Sequence, residues 1–230
     1  MNSSITIPTP DGSFAAYLAQ PAATTAPAVV VCQEIFGINA DMRTTCDELA
    51  AAGFLAVCPD LFWRLEPGVE LSHTDDWPKA LALYQAYELN TGVLDVAATM
   101  EAARGLPGAS GKVGVMGYCL GGLMTFLTAA RVGADAAVTY YGGRTDEFIG
   151  EAATLSGPYL MHLGEEDEFI SKDAQRKIAL GVNGKANVEL HRYPGCRHAF
   201  ARHGGTHYDA AAAAKANTRT MEFLRANLAA

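Results

Sequence analysis

The sequence predicts an α/β fold: a mostly parallel β-sheet with helices on both faces. Three observations carry this. Short runs such as Ala28-Val-Val-Val-Cys32 and Val113-Gly-Val-Met116 are apolar at every position, as strands buried on both faces require. They alternate with longer segments of helical periodicity throughout the chain. Half of the 230 residues are hydrophobic and 18% are charged, without a compositional break, so one core and a single domain over residues 1–230 are expected.

In chain order, Ser4 to Pro8 and Phe14 to Ala19 read as an antiparallel hairpin joined through Pro10-Asp-Gly12, the Asp-Gly supplying the turn. Ala28 to Cys32 is the first parallel strand. After the loop Gln33-Glu34-Ile35-Phe36-Gly37, Asn39 is a helix cap, and Ala40 to Ala52 is helical until Gly53 stops it. Phe54 to Cys58 is the next strand. From Asp60 to His73 the chain is irregular and long enough to suggest a functional lid. Helices follow at Asp75 to Leu89 and Thr91 to Arg104, then a loop from Gly105 to Lys112 and the strand at Val113. Beyond the helix Leu120 to Arg131, strands are expected at Ala136–Tyr140, Tyr159–Leu163 and Val188–Tyr193. Helices are expected at Asp173–Leu180 and Tyr208–Leu228.

Composition narrows the partners. Twenty-five acidic against 17 basic residues give a net charge of −8, which disfavours nucleic acid and anionic membranes. No run approaches the roughly 18 apolar residues of a membrane span, and the first residues lack a basic stretch followed by an apolar one, so a cytoplasmic protein is expected. Five cysteines, an odd number without a CxxC pair, fit reduced thiols. No His, Asp or Glu cluster has metal-ligand spacing, so neither metal nor cofactor is expected. A monomer or weak homo-oligomer acting on a small molecule is the expected form.

The chemistry centres on Gly117-Tyr-Cys119-Leu-Gly121. Two glycines flank a cysteine between a strand and a helix, the spacing of a nucleophile elbow with cysteine in place of serine. A thiol nucleophile needs a base, a group to orient it and backbone donors for the oxyanion. Cys119, Asp167 and His198 appear in the chain order of α/β-hydrolases, acid and histidine each just past a strand. Asp167 competes with Glu165, Glu166 and Glu168. His198 competes with His203 and His207, while His162 and His191 lie within strands and read as structural. Glu34 follows a strand at the place of an oxyanion loop and, partly desolvated there, is a second candidate to accept the thiol proton. The N–H groups of Ile35 and Leu120 are the candidate oxyanion donors. Tyr84 and Tyr141 are candidate pocket residues.

Together with Tyr140-Tyr141-Gly142, Gly164 to Phe169 and His198-Ala-Phe-Ala-Arg202, the Gln33–Gly37 loop and the elbow resemble the dienelactone hydrolase (carboxymethylenebutenolidase) family. The resemblance implies an α/β-hydrolase fold and a Cys119, Asp167, His198 triad. It implies a Glu34 that holds the resting thiol and helps to deprotonate it when substrate binds. It implies hydrolysis of an enol-lactone bearing a carboxylate, dienelactone to maleylacetate, without a cofactor, Arg202 binding the carboxylate. The family's second arginine is expected near Asp75 to Lys79, where this chain has none, leaving Lys79 or Arg64 as substitutes. A broader small-ester carboxylesterase or thioesterase on the same triad is the alternative.

Overall fold

The structure is a computed structural model that describes residues 2–229. The strands are β1 (Asn2–Thr9), β2 (Gly12–Ala19), β3 (Ala26–Cys32), β4 (Leu55–Pro59), β5 (Ala109–Tyr118), β6 (Ala136–Tyr140), β7 (Tyr159–Gly164) and β8 (Val188–Tyr193). They form one eight-stranded sheet in the order β1-β2-β4-β3-β5-β6-β7-β8. Only β2 runs against the others, pairing antiparallel with β1 and β4. From β4 to β8 every pairing is parallel. This is the α/β-hydrolase fold. The apolar runs explain the interior: β4, β6 and β7 are buried at every residue, as strands covered on both faces must be. The edge strand β8 instead carries Glu189, His191 and Arg192, polar groups that discourage pairing with another chain.

Helices α1 (Ala40–Ala51), α2 (Trp77–Ala86), α3 (Leu89–Arg104), α4 (Leu120–Arg131), α5 (Thr145–Phe148), α6 (Lys172–Val182) and α7 (Ala210–Leu228) cover the sheet. A 3₁₀ turn, Ile149–Thr154, follows α5. α3 and α4 pack together on one face. α4 is buried from Leu120 through Ala130, which its apolar sequence permits. On the opposite face α7 docks through Phe223, Leu224 and Leu228, the last two filling the space above Gly114 of β5.

Several expected boundaries shift. β5 begins at Ala109, where a loop to Lys112 is expected, because Ala109 pairs with Ala26 ahead of a register shift in β3. The helix expected over Asp75 to Leu89 is confined to Trp77–Ala86, and Leu89 already opens α3. Tyr87 interrupts them: its backbone is extended, its ring packs on Phe62 at 5.7 Å, and its hydroxyl occupies the space a side chain at Gly92 would fill. In the first hairpin Pro10 and Asp11 form the turn, with Thr9 opposite Gly12, so Gly12 is the first residue of β2. Asp60 to His73 is tied down: Asp60 accepts from Phe62 N and Gly68 N, and Asp95 of α3 accepts from Trp63 Nε1 at 2.8 Å and Arg64 Nη2 at 2.8 Å.

Five strands end at the same edge of the sheet. Glu34 follows β3, Cys119 follows β5, Tyr141 follows β6, Asp167 follows β7 and His198 follows β8. The carboxyl edge of a parallel sheet is where ligands bind in open α/β folds.

Candidate active site

Cys119 sits between β5 and α4 with φ 54° and ψ −114°, a conformation that L-residues rarely adopt. The flanking glycines make it possible. A side chain at Gly117 would run into the Gly121 carbonyl, and one at Gly121 into the Cys32 carbonyl of β3. Strand and helix therefore approach closely enough to lift Cys119 above the sheet edge, where it is partly exposed. Leu120 opens α4, so its N–H belongs to the first helical turn, whose donors have no intrahelical acceptor.

The histidine and acid meet as the spacing predicts. His198 Nδ1 and Asp167 Oδ2 are 2.8 Å apart, with both side chains nearly inaccessible. The second Asp167 oxygen accepts from the N–H groups of Phe169 at 2.8 Å and Ile170 at 3.1 Å, which fixes the carboxylate. Two of the three competing acids are occupied elsewhere. Glu166 pairs with Lys172, and Glu168 pairs with Arg197 and accepts from the His198 backbone N–H. His198 Nε2 is buried and makes no hydrogen bond among the described residues. Burial opposes a charge on His198, but attraction to Cys119 and the bond to Asp167 outweigh it and push its pKa up to about 10.

The competing histidines serve structure. His162 bridges Tyr193 and Thr220, and burial holds its pKa well below the usual range. His203 binds Asp41 and Glu48 of α1. His207 reaches the His198 carbonyl at 3.1 Å.

Glu34 is paired with Arg202: Arg202 Nε donates to Glu34 Oε2 at 2.6 Å, and both side chains are buried. The expectation that Glu34 holds the resting thiol thus meets a different arrangement. A buried guanidinium requires a counter-charge, and Glu34 supplies it. Its other oxygen, Oε1, makes no hydrogen bond among the described residues, nor does the buried Tyr141 hydroxyl. Burial raises the Tyr141 pKa well above its usual range, and the Glu34 charge adds to the rise.

A cavity of about 210 Å³ opens over these groups, lined by Cys119, His198, Arg202, Ile35 and Tyr84 among others. Tyr141 does not line it. That tyrosine is fully buried with its ring against His198 at 5.0 Å, so it supports the histidine from behind. Lys79 and Arg64 are directed elsewhere, Lys79 to Glu66 at 2.7 Å and Arg64 to Asp95 and Asp11.

The cavity also contains residues that the sequence did not single out as site residues. Trp77 and Leu81 of α2, Phe36 and Phe169 make it largely apolar. Trp77 packs edge-on against Phe36 at 5.5 Å and stacks on Phe169 at 6.4 Å, closing a rim across the opening. Arg144, after Tyr140-Tyr141-Gly-Gly143, lines it as well. The glycine pair signals a loop at a strand end, but not which following side chain enters the cavity.

Residues 14–228 match the model of the dienelactone hydrolase family. The chain is 44% identical over 222 residues to a candidate carboxymethylenebutenolidase from Azospirillum brasilense, covering 95% of each. It is 40% identical over 215 residues to carboxymethylenebutenolidase 1 of Cupriavidus pinatubonensis, covering 93% of this chain and 92% of that one. Among solved structures, a candidate dienelactone hydrolase from Klebsiella pneumoniae superposes with a TM-score of 0.84 at 26% identity, covering 97% of both chains.

Proposed function

Because the chain belongs to the dienelactone hydrolase family and is a lactone and ester hydrolase, we propose that it opens the enol-lactone ring of a dienelactone to give maleylacetate, through a thioester on Cys119. The observation that carries this reading is the buried His198–Asp167 pair beside a cysteine on a strained elbow.

Asp167 orients the imidazole through Nδ1, leaving Nε2 to face the Cys119 sulfur and pair with its thiolate. The Cys119 thiolate attacks the lactone carbonyl carbon, and the charge that develops on oxygen falls to the N–H groups of Ile35 and Leu120. The ring C–O bond then breaks, and the enolate leaves with its electron pair, a departure that needs little protonation. It then takes up the His198 proton as it becomes the ketone of maleylacetate, leaving a neutral imidazole. Water attacks the thioester carbonyl, His198 takes its proton and the thiolate is released.

Glu34 and Arg202 supply a trigger. A substrate carboxylate drawn to Arg202 competes with Glu34 for the guanidinium. Glu34, left buried without its counter-ion, then accepts the Cys119 proton, and the thiolate pairs with the His198 imidazolium. Iodoacetamide modification of Cys119 should abolish turnover, and mass spectrometry after rapid quenching should find the acyl group on the peptide carrying it. Full activity in Cys119→Ala would end the proposal.

Trp77 and Leu81 favour a second reading, a broader carboxylesterase or thioesterase, since α2 offers the cavity an apolar wall and no cation. A panel of neutral acyl esters set against dienelactone separates the two. Comparable kcat/KM on the neutral esters, insensitive to Arg202→Ala, selects the second.

A further inference from the structure

The cavity has a second arginine in a position that is not easily built. Arg144 follows β6 with φ 63° and ψ 4°, the left-handed region that favours glycine. Two glycines precede it, yet the residue placed in that conformation is a bulky cation. Its Nε and Nη2 grip Glu147 at 2.8 to 3.0 Å, which fixes the plane of the guanidinium. That grip uses one edge of the fork. Nη1 takes no part in that grip.

Tyr84 stands beside it at the opening. Burial raises the Tyr84 pKa, and Arg144 works against that rise through its charge and a hydrogen bond. Arg202 is held in the same manner, through Nε by Glu34. Apart from the His198 ring, the cationic side chains lining the cavity among the described residues are these two arginines, each oriented by a glutamate.

Resting on the lactone-hydrolase reading above, we propose that Arg144 is the second anion-binding group of the site, and that with Arg202 it selects acyl substrates carrying a carboxylate. It stands on the loop after β6, beside Tyr84 of α2, and lines the same cavity as Arg202. Its partial exposure fits a group that meets the substrate at the opening, while the buried Arg202 waits within.

The test uses the ratio of kcat/KM for p-nitrophenyl hydrogen succinate to that for p-nitrophenyl acetate, so that general damage to the cavity cancels. Arg144→Gln should lower the ratio at least tenfold, the loss lying in KM for the anionic ester, and Arg144→Lys should recover part of it. Arg144→Gly, which relieves the left-handed backbone, should show the same loss with a Tm no lower than that of Arg144→Gln. A ratio within twofold of the unmodified protein in Arg144→Gln overturns the proposal, as does a fall reproduced in full by Arg144→Lys. Turnover of the dienelactone is scored separately. If it is absent while the ratio depends on Arg144, the lactone reading falls and the anion site stands. If it is present and the ratio is indifferent to Arg144, the anion site falls alone. No turnover of either ester or of the dienelactone overturns both.

Discussion

At the scale of the residue, the elbow concentrates the constraints. Cys119 adopts its backbone conformation only because neither flanking position carries a side chain. Gly121→Ala would push a methyl group into the Cys32 carbonyl, backbone that cannot yield cheaply, and should destabilise the fold by about 1–3 kcal/mol. Thermal melting checks this; an unchanged Tm would mean that β3 and α4 can part without cost. Cys119→Ala should leave melting nearly untouched while lowering kcat by roughly 10³-fold or more. The two variants therefore separate the scaffold from the chemistry. The elbow was legible in the sequence because glycine spacing records close backbone approach. Asp167 was legible only as one of four acids, since a loop sequence does not show which carboxylate turns inward. The N–H donors of Phe169 and Ile170 settle its orientation, and they are positioned by tertiary structure.

At the scale of the element, the loop from His198 to Asp209 and helix α2 frame the cavity. His203 clamps that loop to α1, its Nδ1 on Asp41 at 2.7 Å and its Nε2 on Glu48 at 3.2 Å. Hydrogen bonds to Asp41 and Glu48 outweigh burial and raise its pKa to about 10. The folded value thus lies above that of the unfolded chain, about 6.5. The stabilisation is complete below about pH 6.5 and is lost as pH rises towards 10. His203→Gln should melt below the unmodified protein at pH 6, with the gap closing by pH 10; a gap independent of pH would exclude the clamp. Trp77→Ala should raise KM for apolar esters about fivefold, corresponding to about 1 kcal/mol of aromatic contact. An unaltered KM would place the acyl group away from α2. Strands and long helices were readable because period and length report burial. The break at Tyr87 was not, because it depends on the ring reaching Phe62 and the space above Gly92. Arg144 escaped for a similar reason: whether a loop side chain enters a cavity is decided by the path of the backbone.

At the scale of the whole molecule, sheet and helices share a buried polar cluster on the α7 side. His162 Nδ1 meets the Tyr193 hydroxyl at 2.8 Å, its Nε2 meets Thr220 at 3.0 Å, and Thr220 also bonds the Tyr140 hydroxyl at 2.6 Å. Burial depresses the His162 pKa far below that of the unfolded chain. Stability is therefore undiminished above about pH 6.5 and falls with acid, as the unfolded chain takes up a proton that the native state refuses. His162→Gln should flatten the fall in stability that sets in below about pH 6.5, read from urea unfolding at several pH values. The ion pair between Glu34 and Arg202 links positions 168 residues apart. Joining ends so distant costs about 4–5 kcal/mol of chain entropy, so this contact should form late, once β3 and the β8 region are already held by the sheet. A growing chain on the ribosome would carry its elbow cysteine long before the histidine and arginine that complete the site emerge. Reactivity is thus deferred until that later segment has emerged and folded, and a refolding chain should recover its sheet before it recovers its turnover.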